Sequence, residues 1–533
     1  MDAAFGNEDL LQNILSRLTA VSFASAACVS KSWNKACDRI LYRPKLASAL
    51  SLSSSLHVAV IEVLDKVLSE PIRPHFAIAW VGLKFNLAAT HRLITEKLGS
   101  LTPIITNAAS GIIGMDARTN EMTEAKWELL GDAPNIGGIY DFVSHFNYCG
   151  IVLVVGYVPG LKVDAIPLLG PKKDCTFLNK SREPRPEMID KFLTDIEEYT
   201  ASFSDCTSPD GIIMFGDHRI NLQAVLVQMD NKMATETVVV GDASGSFLFK
   251  SGDNSLNYVG SSYSFDAVAL VFAKDKSSSN GRGKFQFHVT LSTGILPFGP
   301  PLKVASVSVT KANCSRLTAR VEGLPGILDS WGLLEDIHGE IEDENHSLYI
   351  GVTHQKAGSQ LLGSRSYMAF YKVLGEAEEY CFAVDGVGIK PGDSFVFYHS
   401  DSETAYSSSI NAYQDLGILK SAASTSRNSS IINYDHDKKE IIGGLIFSCS
   451  SRGESLSGIN IIESLPFSTN YPGTPLAGVF CSGEIARVST SLITLDDEQE
   501  EEEEEESSNS GGCFLHHNST VYLVMSYTPL LQC

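Results

Sequence analysis

The first forty residues carry three short runs of helical periodicity. Leu10, Leu11, Ile14, Leu15 and Leu18 recur at spacings of three and four behind Asn7, a capping residue type, with Glu8 and Asp9 in the first turn. Ser22 offers a second cap ahead of Phe23, Ala26, Ala27 and Val29, and Trp33, Ala36, Cys37, Ile40 and Leu41 form a third series. Because leucines occupy adjacent positions, the apolar face is wider than one small hairpin covers. A segment of roughly forty residues is near the lower limit for folding alone, so a partner that completes its core is expected.

Beyond Pro44 the pattern changes. Ser48 to Ser55 reads as a linker, and Leu56, Val60, Val63, Leu64, Val67 and Leu68 predict a helix. From Pro74, runs that are apolar throughout predict strands at Phe76 to Val81, Pro103 to Thr106, Ile151 to Tyr157, Gly211 to Phe215 and Val238 to Gly241. Helical spacing between them marks Leu87 to Leu98, Glu187 to Phe203 and Asn221 to Met229, and this alternation predicts a mostly parallel sheet. Phe265 to Ala273 and Phe285 to Leu291 read as strands joined across a mobile polar tip, Lys274 to Lys284, as a hairpin.

Phe298-Gly299-Pro300-Pro301 punctuates the chain near Pro297, where a domain boundary is placed. Half-buried, alternating strands follow at Val304 to Val309, Ser347 to Val352, Tyr367 to Val373 and Phe395 to Tyr398, with helices at Ile327 to Ile337 and Glu403 to Leu419. Strands close the chain at Ile441 to Ser448, Ala477 to Cys481 and Val521 to Tyr527. The expected fold class is α+β or α/β, a small all-α module followed by a two-part mixed α/β body. The expected units are 1–45, a helical module; 46–73, linker and helix; 74–296, an α/β domain; and 297–533, an α+β domain with a disordered acidic insertion at 496–512.

Composition narrows the function. Hydrophobic residues make up 44% of the chain, enough for sizeable cores. The net charge is −22, of which Asp496 to Glu506 supplies ten carboxylates and no cation, leaving −12 over the rest. Such a run repels itself and buries nothing, so it reads as a loop, with a basic partner as the alternative. Without a clustered basic stripe, nucleic-acid binding is not expected. Eleven scattered cysteines with no C-x-x-C pair indicate neither a disulfide framework nor a zinc site. No run of about eighteen apolar residues is present, so no membrane association is expected and the chain reads as cytoplasmic or nuclear. The N-x-S/T triplets at Asn313, Asn345, Asn428 and Asn518 then read as chance.

Candidates for chemistry are sparse. Asp217-His218-Arg219 follows an apolar strand, and Ser110 or Ser244 offers a hydroxyl, but no G-x-S-x-G, P-loop or H-E-x-x-H occurs, and a helix cap is the blander reading. His516-His517 lacks further ligands at fixed spacing and reads as a solvated turn. No catalytic residue, metal or cofactor is assigned. The richest stretches are Gly443 to Gly453 and Pro475 to Ile485, apolar strands running into small-residue turns that bear Arg452 and Glu484. Small residues at strand ends let a ligand approach the backbone, which makes Ser110, Gly111, Arg452, Gly483 and Glu484 the candidate ligand or substrate contacts. Arg452 and Glu484 either pair with each other or face what the body binds.

Two resemblances follow from these residues. Leu10-Leu11, Ile14-Leu15-Ser16-Arg17-Leu18 and Val29-Ser30-Lys31-Ser32-Trp33 resemble the F-box, although the usual opening Leu-Pro is Gly6-Asn7 here and Thr19 replaces a second proline. The resemblance implies docking onto a Skp-type adaptor and a cullin scaffold of a ubiquitin ligase, with Leu10, Leu11, Ile14, Leu15, Leu18, Phe23, Val29 and Trp33 as adaptor contacts. The two strand-and-turn stretches, with Thr106 to Gly114 and Val239 to Gly245, resemble the FIST family of small-molecule sensor domains, which has an N-terminal and a C-terminal part. Together they imply a non-catalytic substrate receptor whose body selects an unknown protein, with a small-molecule ligand as a possible modulator. A free-standing small-molecule sensor is the alternative, and a hydrolase a third.

Overall fold

The computed structural model describes residues 8–127, 149–171, 184–217, 219–252, 263–278, 283–310, 314–341, 346–355, 366–378, 380–424, 439–452, 461–488 and 512–529. Asn7, His218, the acidic run, and the triplet asparagines Asn313, Asn345 and Asn428 lie outside these residues.

Three helices open the fold: Glu8–Leu15, Ala20–Ala27 and Lys31–Leu41. The second cap is Thr19, whose hydroxyl accepts from the Ser22 amide, so Ser22 is the donor and not the cap. Ser30 caps the third helix by accepting from Trp33 N at 3.2 Å. Lys45–Ser51, expected as the start of a linker, is an edge strand paired antiparallel with Ile151–Tyr157. Its seven residues contain four serines and alanines, a composition without strong strand preference, and the pairing partner decides its conformation.

The body is built from three sheets. The first has the order 45–51, 151–157, 76–82, 104–109, 247–250; the second 512–516, 484–488, 238–242, 211–216, 263–274, 161–171; the third 284–293, 519–528, 440–449, 476–481, 111–115, 122–126. Each sheet holds one parallel pair, and each pair is joined through a helix: Leu87–Leu98, Gln223–Lys232 and Leu465–Asn470. The strand–helix–strand reading therefore holds at the first two places, and the third, through Leu465–Asn470, was not expected. Apart from two isolated parallel bridges, every other pairing among the described strands is antiparallel, which overturns the mostly parallel expectation. Strand Tyr263–Lys274 pairs with 161–171 and 211–216, while Lys284–Thr293 pairs with 519–528, so the expected hairpin across Lys274 to Lys284 does not exist.

The sheets turn one face each toward a common core. Phe76, Ile78 and Trp80 come from the first sheet, Phe215, Val268 and Phe272 from the second, and Leu445, Phe447 and Leu523 from the third. Trp80 is fully buried and its ring lies 6.3 Å from Phe215 and 6.0 Å from Phe447, touching both other sheets. Helices cover the outer faces: Leu56–Val67 on the first, Pro186–Phe203 and Gln223–Lys232 on the second, Ser402–Ser424 and Leu465–Asn470 on the third. Strands buried on both faces explain the uninterrupted apolar runs.

Residues 295–400 form a closed six-stranded barrel in the order 295–309, 314–321, 381–385, 366–378, 348–355, 394–400, filled by Val304, Leu317, Ile350, Phe382, Phe395 and Phe397. Phe298-Gly299-Pro300-Pro301 does not end a strand. The first barrel strand continues through it with a register shift between Phe298 and Leu302, and Gly299 takes a φ of 70°, the setting in which prolines are tolerated in a sheet. A cut at 297 therefore separates the barrel's start but not two domains, because the second and third sheets take strands from both sides of it. Gly512 opens a buried strand, so the insertion expected at 496–512 ends before it.

Candidate functional site

Within the helical module, Leu11, Leu15, Phe23, Ala26, Ala36 and Cys37 form a core against which Leu18, Trp33, Ile40 and Leu41 pack. Leu15 is fully buried, and Leu11 and Phe23 nearly so. This corrects their placement as surface contacts: in the free chain they hold the module together. Leu10 and Ile14, one turn apart, are 44% and 45% exposed, and Val29 on the turn before the third helix is 64% exposed. With Tyr42, also 44% exposed, these are the large apolar groups the module leaves uncovered among the described residues, each good for about 1 kcal/mol or more once a partner completes its burial.

The second candidate lies where the three sheets meet. Asp242 ends the strand Val238–Asp242, almost wholly buried. Its Oδ1 accepts from the Ser244 amide at 2.7 Å and the Ser244 hydroxyl at 2.6 Å, and its Oδ2 accepts from Asn107 Nδ2 of the first sheet at 2.7 Å. Ser244 Oγ in turn accepts from the Ser482 amide at 3.0 Å, and the Ser482 and Ser450 hydroxyls lie 3.2 Å apart. The backbone fits this closely only because of glycine: a Cβ on Gly241 would stand 1.9 Å from the Met214 carbonyl, and one on Gly245 2.4 Å from Asn107 Oδ1.

Glu484 begins the next strand directly opposite Asp242 and is fully buried. Ser519 donates to its Oε2 at 2.9 Å and the Cys481 thiol approaches Oε1 at 3.6 Å. Burial pushes this carboxyl up to about 8, and raises that of Asp242 as well. Glu484 is thus held as a neutral acid at neutral pH, which is how a buried carboxyl without a cation survives. Cys449 and Cys481 lie opposite each other on the parallel pair, and burial pushes the Cys449 thiol up to about 12, away from reactivity.

Arg452 does not meet Glu484. Its Nε donates to Glu463 Oε1 at 3.0 Å, its Nη2 to Ser292 Oγ at 2.9 Å and its Nη1 to the Asn518 carbonyl at 3.3 Å, with both ionic partners fully buried. Thr520 donates to the other Glu463 oxygen at 2.7 Å, and Tyr522 to the Glu463 carbonyl at 3.0 Å. The pair is a brace inside the third sheet, closed to any ligand. Ser110 and Gly111 sit beside the seam, since Gly111 pairs with Phe480, and Gly483 is buried with its carbonyl accepting from the Ala243 amide at 2.9 Å. The sequence reading missed Glu463, Asp242, Asn107 and Asn518. Asp242 and Ser244 were nonetheless signalled by their spacing, since an Asp two residues before a Ser favours the local turn found here.

His516 is buried and His517 stacks on Tyr349 of the barrel, ring centroids 5.4 Å apart. Burial lowers both imidazoles to about 4, so the expected solvated turn is instead a packed contact between body and barrel. Asp217 takes the guanidinium of Arg219 in two hydrogen bonds of 2.8 and 2.6 Å, a local ion pair.

Residues 7–43 match the F-box domain. Over 534 aligned residues, 98% of this chain and 93% of the relative, the chain is 37% identical to an Arabidopsis thaliana protein described as an F-box/LRR-repeat protein. The repeats in that description have no counterpart among the described residues, whose body is three shared sheets and a barrel. With the F-box matched and the relative aligned along almost its whole length, the chain belongs to the F-box proteins.

Proposed function

We propose that the chain is the substrate-recognition subunit of a Skp–cullin–F-box ubiquitin ligase and performs no chemistry itself. The observation that carries this reading is the F-box match over a module whose Leu10, Ile14 and Val29 stay uncovered while its own core is complete. The adaptor closes over these residues, and Leu11, Leu15, Leu18, Phe23 and Trp33 support them from within. Behind the module, a FIST-type body selects the protein to be ubiquitylated. In support of that, the two stretches carrying the FIST resemblance form one parallel pair whose carboxyl ends meet Ser244 and Asp242 at the seam. Open sheets collect ligands outside such ends.

Affinity purification tests the docking. A Leu10→Asp, Ile14→Asp variant spares the module core and is expected to lose the adaptor and cullin while its circular dichroism matches the parent. Undiminished recovery of the adaptor by this folded variant overturns the reading.

A further inference from the structure

A cleft of about 640 Å³ lies where the F-box module meets the body. The module contributes Gln12, Asn13, Ser16 and Arg17 from its first helix and turn, and Arg43 from the end of its third; the body contributes Lys45 and Arg73. A backbone bond from Ala20 N to the Leu68 carbonyl joins module and body directly.

Charge sets this cleft apart from the rest of the molecule. Its lining holds Arg17, Arg43, Lys45 and Arg73 against one carboxylate, Glu70, a local balance of +3 in a chain of −22. Lys45 is bound to Glu70 at 2.8 Å, which leaves the three arginines. All three are exposed, and none of their guanidinium groups has a hydrogen bond or ion pair among the described residues. Guanidinium forks are suited to holding carboxylate or phosphoryl oxygens two at a time, and a concave wall concentrates their field. Between them stand amide and hydroxyl groups of Gln12, Asn13 and Ser16, fit to bond a peptide backbone, and the apolar Ile40, Leu41, Pro71 and Ile72. The volume suits a ligand of a few residues.

We propose that this cleft binds an acidic peptide segment of a partner protein, its carboxylates or phosphoryl group held by Arg17, Arg43 and Arg73. Because Arg17 and Arg43 belong to the module and Arg73 to the body, the bound segment spans the two and fixes their mutual orientation. This site is separate from Leu10, Ile14 and Val29, and its occupation does not depend on the ligase reading.

The test uses the full chain and fluorescence anisotropy of a fluorescein-labelled hexaglutamate peptide, alone and with one phosphoserine, against hexalysine as control. Hexaglutamate is expected to bind, more weakly as salt rises, and Arg17→Glu with Arg73→Glu is expected to weaken it by about tenfold or more, as for loss of charged hydrogen bonds. Lys232→Glu with Lys303→Glu, the same charge change elsewhere on the body, is expected to leave binding within about twofold. Equal binding by parent and Arg17→Glu, Arg73→Glu chains, or none by the parent, overturns the proposal. So does binding that appears only after removal of 496–506, which makes the chain's own acidic run the occupant. Inorganic tripolyphosphate that binds where neither acidic peptide does likewise overturns it, in favour of a small polyanion.

Discussion

Arg452 and Glu463 are both fully buried and 3.0 Å apart. Glu463→Gln keeps the shape of the acceptor and removes only the charge, leaving a guanidinium whose remaining partners are a serine hydroxyl and a backbone carbonyl. The Coulomb energy at this separation is about 5 kcal/mol with an effective dielectric of about 20, and measured losses on breaking buried pairs are about 3–5 kcal/mol. Arg452→Met strands the carboxylate instead and is expected to cost about as much. Combining both removes both stranded charges, so the double variant is expected to fall short of the summed cost by about 1–3 kcal/mol. Urea unfolding followed by tryptophan fluorescence reads this out, since Trp80 sits in the adjoining core. Single variants within about 1 kcal/mol of the parent, or strictly additive costs, refute the brace.

Three further outcomes follow from the same geometry. Glu484 binds a proton in the native state up to about pH 8 and releases it near 4.5 when unfolded, so its contribution to stability falls as pH rises between these values; Glu484→Gln is expected to flatten that part of the melting-temperature profile. His516 and His517 have the opposite sign, staying neutral in the native state down to about 4 and near 6.5 when unfolded, so stability is lost on acidification below about 6.5, and His517→Phe is expected to lessen that loss in thermal melts at pH 5. Gly241→Ala drives a methyl group into the Met214 carbonyl of the neighbouring strand and is expected to leave little soluble protein on expression, whereas Gly326→Ala, with open space around it, is expected to express as the parent does.

Local physics made some of this legible beforehand. Helical spacing disclosed the module, and continuous apolar runs such as Phe76–Gly82 and Ile151–Tyr157 disclosed strands covered on both faces. Weakly patterned strands escaped: Met122–Lys126 is half-buried along its length, and Gly111–Met115 is two-fifths glycine. Pairing escaped too, because antiparallel partners hundreds of residues apart leave no local trace. Arg452 shows the limit at the site. Its need for a buried carboxylate was plain from its strand, but Glu484 and Glu463 satisfy that need equally on paper, and only the path of residues 461–465 decides between them. In the module, the width of the apolar face was right, while the division between inside and outside was not: of two adjacent leucines, Leu11 went in and Leu10 stayed out.

The last strand, Ser519–Thr528, stands between Lys284–Thr293 and Glu440–Cys449 in the third sheet. During synthesis, the F-box module, the whole first sheet and the barrel are complete in sequence long before this strand leaves the ribosome, yet Lys284–Thr293 has no neighbour in its sheet until it does. The emerging chain must therefore carry an apolar sheet face and an unpaired edge in waiting, a state prone to aggregation and a natural client for chaperones. A premature stop just before Ser519 would delete an interior strand of the third sheet, and cells should treat the product as misfolded even though the helices of its F-box module are intact.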